Sequence, residues 1–203
     1  MSQRTGGYAG GIQAGTSPAD SAARALEREL RTAASGVGAA SSHVAWVPAI
    51  PPAVIAARLG VPKGRAVGVS PDGGVFYDAT TPGRVLLAAE AKKQGVGGNA
   101  IERWFKNWAV LNHLGVEVYL TVCTGEGFFD GNVAQRVLET ALALESDGPE
   151  RLGADQAWNV PRGRLWLYRY RTVPGASELA EVVESALAHA AARPAPAGCP
   201  APG

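Results

Sequence analysis

The chain has 203 residues, 19 Lys and Arg against 18 Asp and Glu, a net charge of +1 and a hydrophobic content of 46%. That length suits one moderate domain, and that apolar content is too high for a chain disordered throughout. Near-zero net charge excludes a globally polybasic protein, so any polyanion site has to be local. Only four of the 19 bases are lysines, and three of them, Lys92, Lys93 and Lys106, fall close together.

No apolar run reaches the ~18 residues that would span a bilayer, and the first 17 residues are Gly-rich without a signal core, so export is not expected. The two cysteines, Cys123 and Cys199, form neither a disulfide framework nor a zinc spacing. A reduced, cytoplasmic setting follows as the simplest expectation. Residues 1–17 and 193–203 lack apolar periodicity and are expected to be flexible ends around a single domain over 18–192.

In chain order, Pro18–Ala34 predicts a helix opened by Ser-Pro. Val44–Ile55 is interrupted by prolines, and Ala53–Leu59 predicts a short helix. Arg65–Ser70 and Val75–Asp78 read as two strands around the turn Pro71-Asp72-Gly73-Gly74. After a turn at Thr80–Gly83, Arg84–Ala91 is a nearly continuous apolar run, consistent with a buried strand. A glycine-rich link leads to a helix from Asn99 to about His113, with Ile101, Trp104, Phe105, Trp108 and Leu111 as its apolar stripe. Val116–Cys123, Val133–Leu144, Arg164–Tyr170 and Ser177–Ala192 complete the pattern as strand, helix, strand and helix. The order predicts an α/β fold with a mixed central sheet flanked by helices.

Chemistry concentrates at the end of the buried strand. Glu90 and Lys92 are two residues apart and therefore share a strand face. Asp72, one hairpin upstream, can come beside Glu90, and two converging carboxylates invite a hard divalent cation such as Mg²⁺. The Ala91 carbonyl would add a third oxygen, and Lys92 would orient or help deprotonate the attacking water. A Glu-x-Lys triplet alone is weak evidence, since a solvated ion pair at a strand end explains it better. Pro71-Asp72 upstream and the apolar strand bring the two readings level.

The helix after the glycines adds more. Asn99, Glu102, Arg103 and Lys106 lie opposite the apolar stripe. Asn99 reads equally as a helix N-cap, yet Asn, Glu and Arg are also the side chains suited to base edges, and here they cluster in the first turns of a helix.

The motifs Pro71-Asp72, Glu90-Ala91-Lys92, Gln94-Gly95, Gly98-Asn99-Ala100-Ile101-Glu102-Arg103 and Lys106-Asn107 occur in an order that resembles the PD-(D/E)xK nuclease core. More narrowly, they resemble the EcoRI and MunI branch of type II restriction endonucleases, over about 45 residues from Val67 to Leu111. The resemblance implies a restriction-endonuclease-like fold, with Asp72, Glu90 and the Ala91 carbonyl as Mg²⁺ ligands and Lys92 as the catalytic lysine. It implies that Asn99, Glu102 and Arg103 read the inner adenines of an AATT core, partly across a dimer. Ala100 would then pack near a thymine methyl, Gln94 and Gly98 would lie against the DNA, and Lys106 and Asn107 would hold phosphates. Members act as two-fold dimers on palindromes in double-stranded DNA, leaving 5′-phosphates on four-base 5′ overhangs, and each needs a companion DNA methyltransferase that forms no physical complex with it. Two departures limit the carry-over. The stretch from Gln94 to Asn99 is shorter than the corresponding part of EcoRI, and Gly97 stands where MunI-like enzymes place the arginine that reads the outer base pair.

Other residues have plainer readings. His43, His113 and His189 are isolated, and GVGGN lacks both the Lys-Ser/Thr of a P-loop and the spacing of a dinucleotide fingerprint. Trp104 and Trp108 are expected in a core or a dimer interface. Arg162, Arg164, Arg169 and Arg171 flank a strand, where Arg169 and Arg171 share a face and either touch phosphate or remain solvated. Glu126, Asp130 and Arg136 either line a cleft or cap the helix after Gly131, and Glu27 or Glu29 is a candidate accessory carboxylate.

Overall fold

A computed structural model describes residues 18–62, 64, 66, 68–93, 100–145, 158–159 and 163–194, with side chains omitted at 18–21, 100–103 and 145. The two terminal segments expected to be flexible lie almost wholly outside these residues.

Five strands form one mixed sheet in the spatial order β1-β2-β3-β4-β5. They are β1 (Val44–Val47), β2 (Gly74–Asp78), β3 (Val85–Lys93), β4 (Val118–Thr124) and β5 (Leu165–Tyr170). The pairs β1–β2 and β2–β3 are antiparallel, whereas β3–β4 and β4–β5 are parallel. Parallel neighbours need crossovers, supplied here by α3 (Ala100–His113) and α4 (Val133–Glu145). The remaining helices are α1 (Pro18–Ala40), the short α2 (Pro52–Leu59) and α5 (Ala176–Ala192).

Strand alternation divides the core into two layers. Ala88, Tyr119, Cys123, Leu165 and Leu167 pack under α3 and α4, against Trp104, Trp108, Leu111 and Leu138. Leu87, Ala89, Ala91, Leu120, Val122 and Trp166 face the other way, under Leu26 and Leu30 of α1 and Leu179 and Val183 of α5. Because β3 and β4 are covered on both faces, they read as continuous apolar runs. At the opposite end of the sheet from the acidic pair, buried Arg84 bridges Asp78 (3.4 Å) and Glu117 (3.3 Å) and donates to the carbonyl of Ala190 in α5.

Two expectations need correction. The segment expected as a strand over Arg65–Ser70 contributes, among the described residues, a single bridge, with Val69 and Ile50 exchanging backbone bonds of 2.8 and 3.1 Å. Pro51 and Pro52 follow Ile50 and carry no N–H, so this ladder lacks donors to extend. The edge position goes instead to Val44–Val47, the start of the proline-interrupted stretch, for which no strand is expected from sequence. The second concerns Phe105, expected in the buried stripe of α3 but 43% exposed. It lies about 100° around the helix from Trp104, off the sheet-facing arc that Trp104, Trp108 and Leu111 occupy.

Candidate active site

The turn carrying Asp72 is tightly held. Gly74 donates to the Pro71 carbonyl (2.9 Å), closing a β-turn, and Gly73 donates to the Ala89 carbonyl of β3 (2.8 Å). Gly74 has φ +84, and a Cβ there would lie 2.6 Å from Trp46 Nε1, so both conformation and space require glycine. Two side chains from outside the motif brace this turn. Trp46 Nε1 donates to the Gly73 carbonyl (2.9 Å), and Arg31 Nε donates to the Asp72 carbonyl (3.0 Å). Arg31 of α1 is therefore bonded to this turn.

Beyond the start of β2, β3 continues without its antiparallel neighbour, and Asp72 fills the gap. The Ala91 N–H donates to Asp72 Oδ2 (3.1 Å). A strand residue directs its N–H and C=O to the same side, so the Ala91 carbonyl also leaves β3 on the Asp72 side. Lys92 Nζ lies 3.8 Å from Asp72 Oδ2 and donates a short hydrogen bond to Glu90 Oε1. The three functional side chains expected from sequence thus meet at the carboxyl end of β3.

This is not a solvated ion pair. Glu90 is 1% exposed and Lys92 7% exposed. Burial pushes the Glu90 carboxyl above the ordinary range, and the Asp72 charge adds to this. Lys92 and a hydrogen bond from Asn107 pull the other way without cancelling it. Glu90 Oε2 is buried and has no hydrogen-bond partner among the described residues. An orphaned carboxylate oxygen beside a second carboxylate is a costly arrangement that a cation would relieve. Among the described residues no group of three or more His, Cys, Asp or Glu side chains gathers as a metal site. A cation here would rest on Asp72, Glu90, the Ala91 carbonyl and water. That all-oxygen set fits Mg²⁺ and suits zinc poorly.

The floor of the site is aromatic. Tyr119, paired with Ala88 two residues before Glu90 and on the same face, stacks on Trp108 (5.4 Å between centroids) and lies 5.8 Å from Trp104. Trp104 Nε1 donates to Thr121 Oγ1 (2.8 Å), and Thr121 is the β4 residue paired with Glu90. Both tryptophans are buried, in agreement with a core role. Burial pushes the Tyr119 hydroxyl well above its ordinary pKa, and the Cys123 thiol likewise, so neither is a nucleophile.

Asn107 lies elsewhere than the resemblance suggests. The resemblance places it on a phosphate with Lys106, but it is 5% exposed and its Nδ2 donates to Glu90 Oε1 (3.2 Å). It sits three residues after Trp104, hence on the sheet-facing arc of α3. That helical phase is legible in the sequence but is obscured by the motif. Lys106, by contrast, is exposed. Gln94, Gly98 and Asn99 lie outside the described residues. Ala100, Glu102 and Arg103 are placed on α3 as backbone only, so their DNA contacts stay expectations.

The other candidates separate cleanly. Arg164 is structural, its guanidinium donating to the Val116 carbonyl (2.6 and 3.0 Å). His189 packs against Trp166. Arg162 lies outside the described residues, while Glu126, Asp130, Arg136, Arg169 and Arg171 fall around the loop after β4 and the end of β5. No helix among the described residues is long and apolar enough to cross a membrane. No family model matches the chain, and neither a characterised protein nor a solved structure matches it.

Proposed function

We propose that the protein is a Mg²⁺-dependent type II restriction endonuclease of the EcoRI and MunI branch, with a PD-(D/E)xK fold. It hydrolyses double-stranded DNA as a two-fold dimer in the cytoplasm, alongside a separate DNA methyltransferase. The target is a palindrome with an AATT core and relaxed or indirectly read outer bases, cut to leave 5′-phosphates on four-base 5′ overhangs. The observation that carries this reading is the buried Glu90 Oε2, without a hydrogen-bond partner among the described residues, beside Asp72 and Lys92. A protein that only bound DNA would have no use for two acids placed where phosphate must come.

Asp72 and Glu90 would hold the cation, with the Ala91 carbonyl assisting. Bound Mg²⁺ supplies Lewis acidity toward the phosphodiester oxygens. Lys92 donates a hydrogen bond to Glu90 Oε1. With a cation held by both carboxylates, the Lys92 ammonium, 3.8 Å from Asp72 Oδ2, would be placed to orient the attacking water. Lysine can share a proton in this position, and arginine, with its much higher pKa, cannot. Asn107, donating to Glu90 Oε1, would help orient that carboxylate.

The test incubates the protein with DNA in Mg²⁺ or chelator, alongside Lys92→Ala. Discrete Mg²⁺-dependent fragments that vanish in the variant are expected. A smear of products points to a nonspecific nuclease, and retention without cutting to a binding protein; either overturns the assignment. Sequencing cut ends from a library with randomised flanks then reads the outer bases, and strict preference for one hexamer would overturn the relaxed outer specificity.

A further inference from the structure

The second basic feature of the molecule lies on the same face of the sheet as Lys92. In the parallel ladder, Lys92 pairs with Cys123, and Cys123 pairs with Arg169. The three side chains therefore form one row on one face, with Lys92 and Arg169 two strand spacings apart, about 10 Å. Arg169 is anchored by a bond from Nη1 to the Phe128 carbonyl (2.9 Å), and its guanidinium lies 4.8 Å from the Phe129 ring centroid. Arg171, two residues on, approaches the same ring at 4.5 Å. Beside them opens a cavity of about 620 Å³, which Arg136 of α4 also lines.

Two guanidinium groups against one phenyl ring, with a third on the cavity wall, concentrate positive charge in a chain of net charge +1. The local acids do not cancel it well. Glu139 Oε1 is turned inward, accepting from Trp158 Nε1 (2.9 Å) and Gln135 Nε2 (2.8 Å). Glu126 meets Arg171 at 3.7 Å, but both side chains are more than half exposed. Such a pair contributes little and exchanges readily for a better anion. Among the described residues, the cavity wall thus carries two carboxylates, Asp130 and Glu139, against three arginines. Stacking on Phe129 restrains the exposed Arg171 guanidinium while leaving its N–H edge available, the geometry that binds phosphate oxygens bidentately.

We propose that Arg136 and Arg171, beside the anchored Arg169, form a clamp at Phe129 for a backbone phosphate of the DNA strand whose scissile phosphate meets Lys92. The inference rests on the nuclease reading and extends the substrate-binding surface beyond the recognition helix. Holding a phosphate in this way sets the strand's position and carries no base information.

The test measures binding by fluorescence anisotropy in the non-cutting Lys92→Ala protein, using an AATT-containing duplex and a scrambled one at 50 to 200 mM salt. Adding Arg171→Ala or Arg136→Ala, both at exposed positions, should lower the slope of log K against log salt by about 0.9 for each phosphate no longer neutralised, equally on both duplexes. Across that salt range the variant's deficit should shrink by about 3.5-fold for each such phosphate. Glu126→Gln should free Arg171 and tighten binding more than Glu184→Gln, a charge control on α5 across the sheet. Unchanged slopes in both arginine variants would overturn the clamp while leaving the nuclease reading intact. A loss confined to the AATT duplex would also overturn it, in favour of base reading. If the Lys92→Ala parent binds neither duplex, the nuclease reading itself falls.

Discussion

Replacing Asn107 by alanine separates the role the fold assigns to this residue from the phosphate contact that sequence resemblance assigns. The substitution deletes a hydrogen bond of 3.2 Å to a buried carboxylate. Bonds to charged groups contribute about 1.5–3 kcal/mol, and the site cannot refill easily because Asn107 is 5% exposed among packed aromatics. A loss of about 2 kcal/mol corresponds to about 4–8 °C in Tm for a domain of this size. Glu90 Oε1 would keep only its bond from Lys92, so the carboxylate loses orientation. Removing a partner that positions a metal ligand costs about 10–100-fold in metal affinity or activity. The decisive measurement is again the salt dependence of DNA binding, here in Lys92→Ala with and without Asn107→Ala. A residue that only positions Glu90 leaves the slope unchanged, while a residue that holds a phosphate lowers it by about 0.9 when removed. A lowered slope with Mg²⁺ affinity intact would refute the positioning role.

Three further outcomes follow from the geometry. Mg²⁺ at about a hundred times its Kd should stabilise the wild type by about 2.7 kcal/mol, and Glu90→Gln should abolish that gain in a thermal melt; an equal gain in the variant would place the ion elsewhere. Gly74→Ala should cost about 1–3 kcal/mol and depress cleavage, because its Cβ would strike Trp46 and shift the turn bearing Asp72. Gly60→Ala, also at positive φ but with nothing within 4 Å, provides the backbone cost alone and should leave cleavage unchanged. Burial would raise the Asp78 carboxyl, but hydrogen bonds from Thr80 and Thr81 outweigh it and hold the pKa at about 2. A depressed pKa contributes stability above the unfolded value of about 3.9, lost as pH falls towards 2. Asp78→Ala should therefore cost about 1–2 kcal/mol at neutral pH, allowing for solvent screening, and converge with the wild type near pH 2 in urea titrations.

The parts of this molecule that obey a local period were legible in the sequence. Two-residue alternation put Glu90 and Lys92 on one face, a Pro-Asp-Gly-Gly turn put Asp72 at the mouth of a hairpin, and helical spacing put Trp104, Trp108 and Leu111 inward. Local chemistry is enough for these, because backbone geometry repeats within a few residues. What only the tertiary structure decided depends on distant partners. Val44–Val47 became the edge strand because β2 offered it a complete ladder, while the prolines after Ile50 denied one to the segment ending at Ser70. The Asp72 turn is braced by Arg31 and Trp46, from 41 and 27 residues away. Asn107 was claimed by Glu90 because the crossover packs α3 directly over β3 and β4. The alignment of Lys92 with Arg169 follows from the register of two parallel pairings, which the crossover helices and their packing set and no short stretch of sequence encodes.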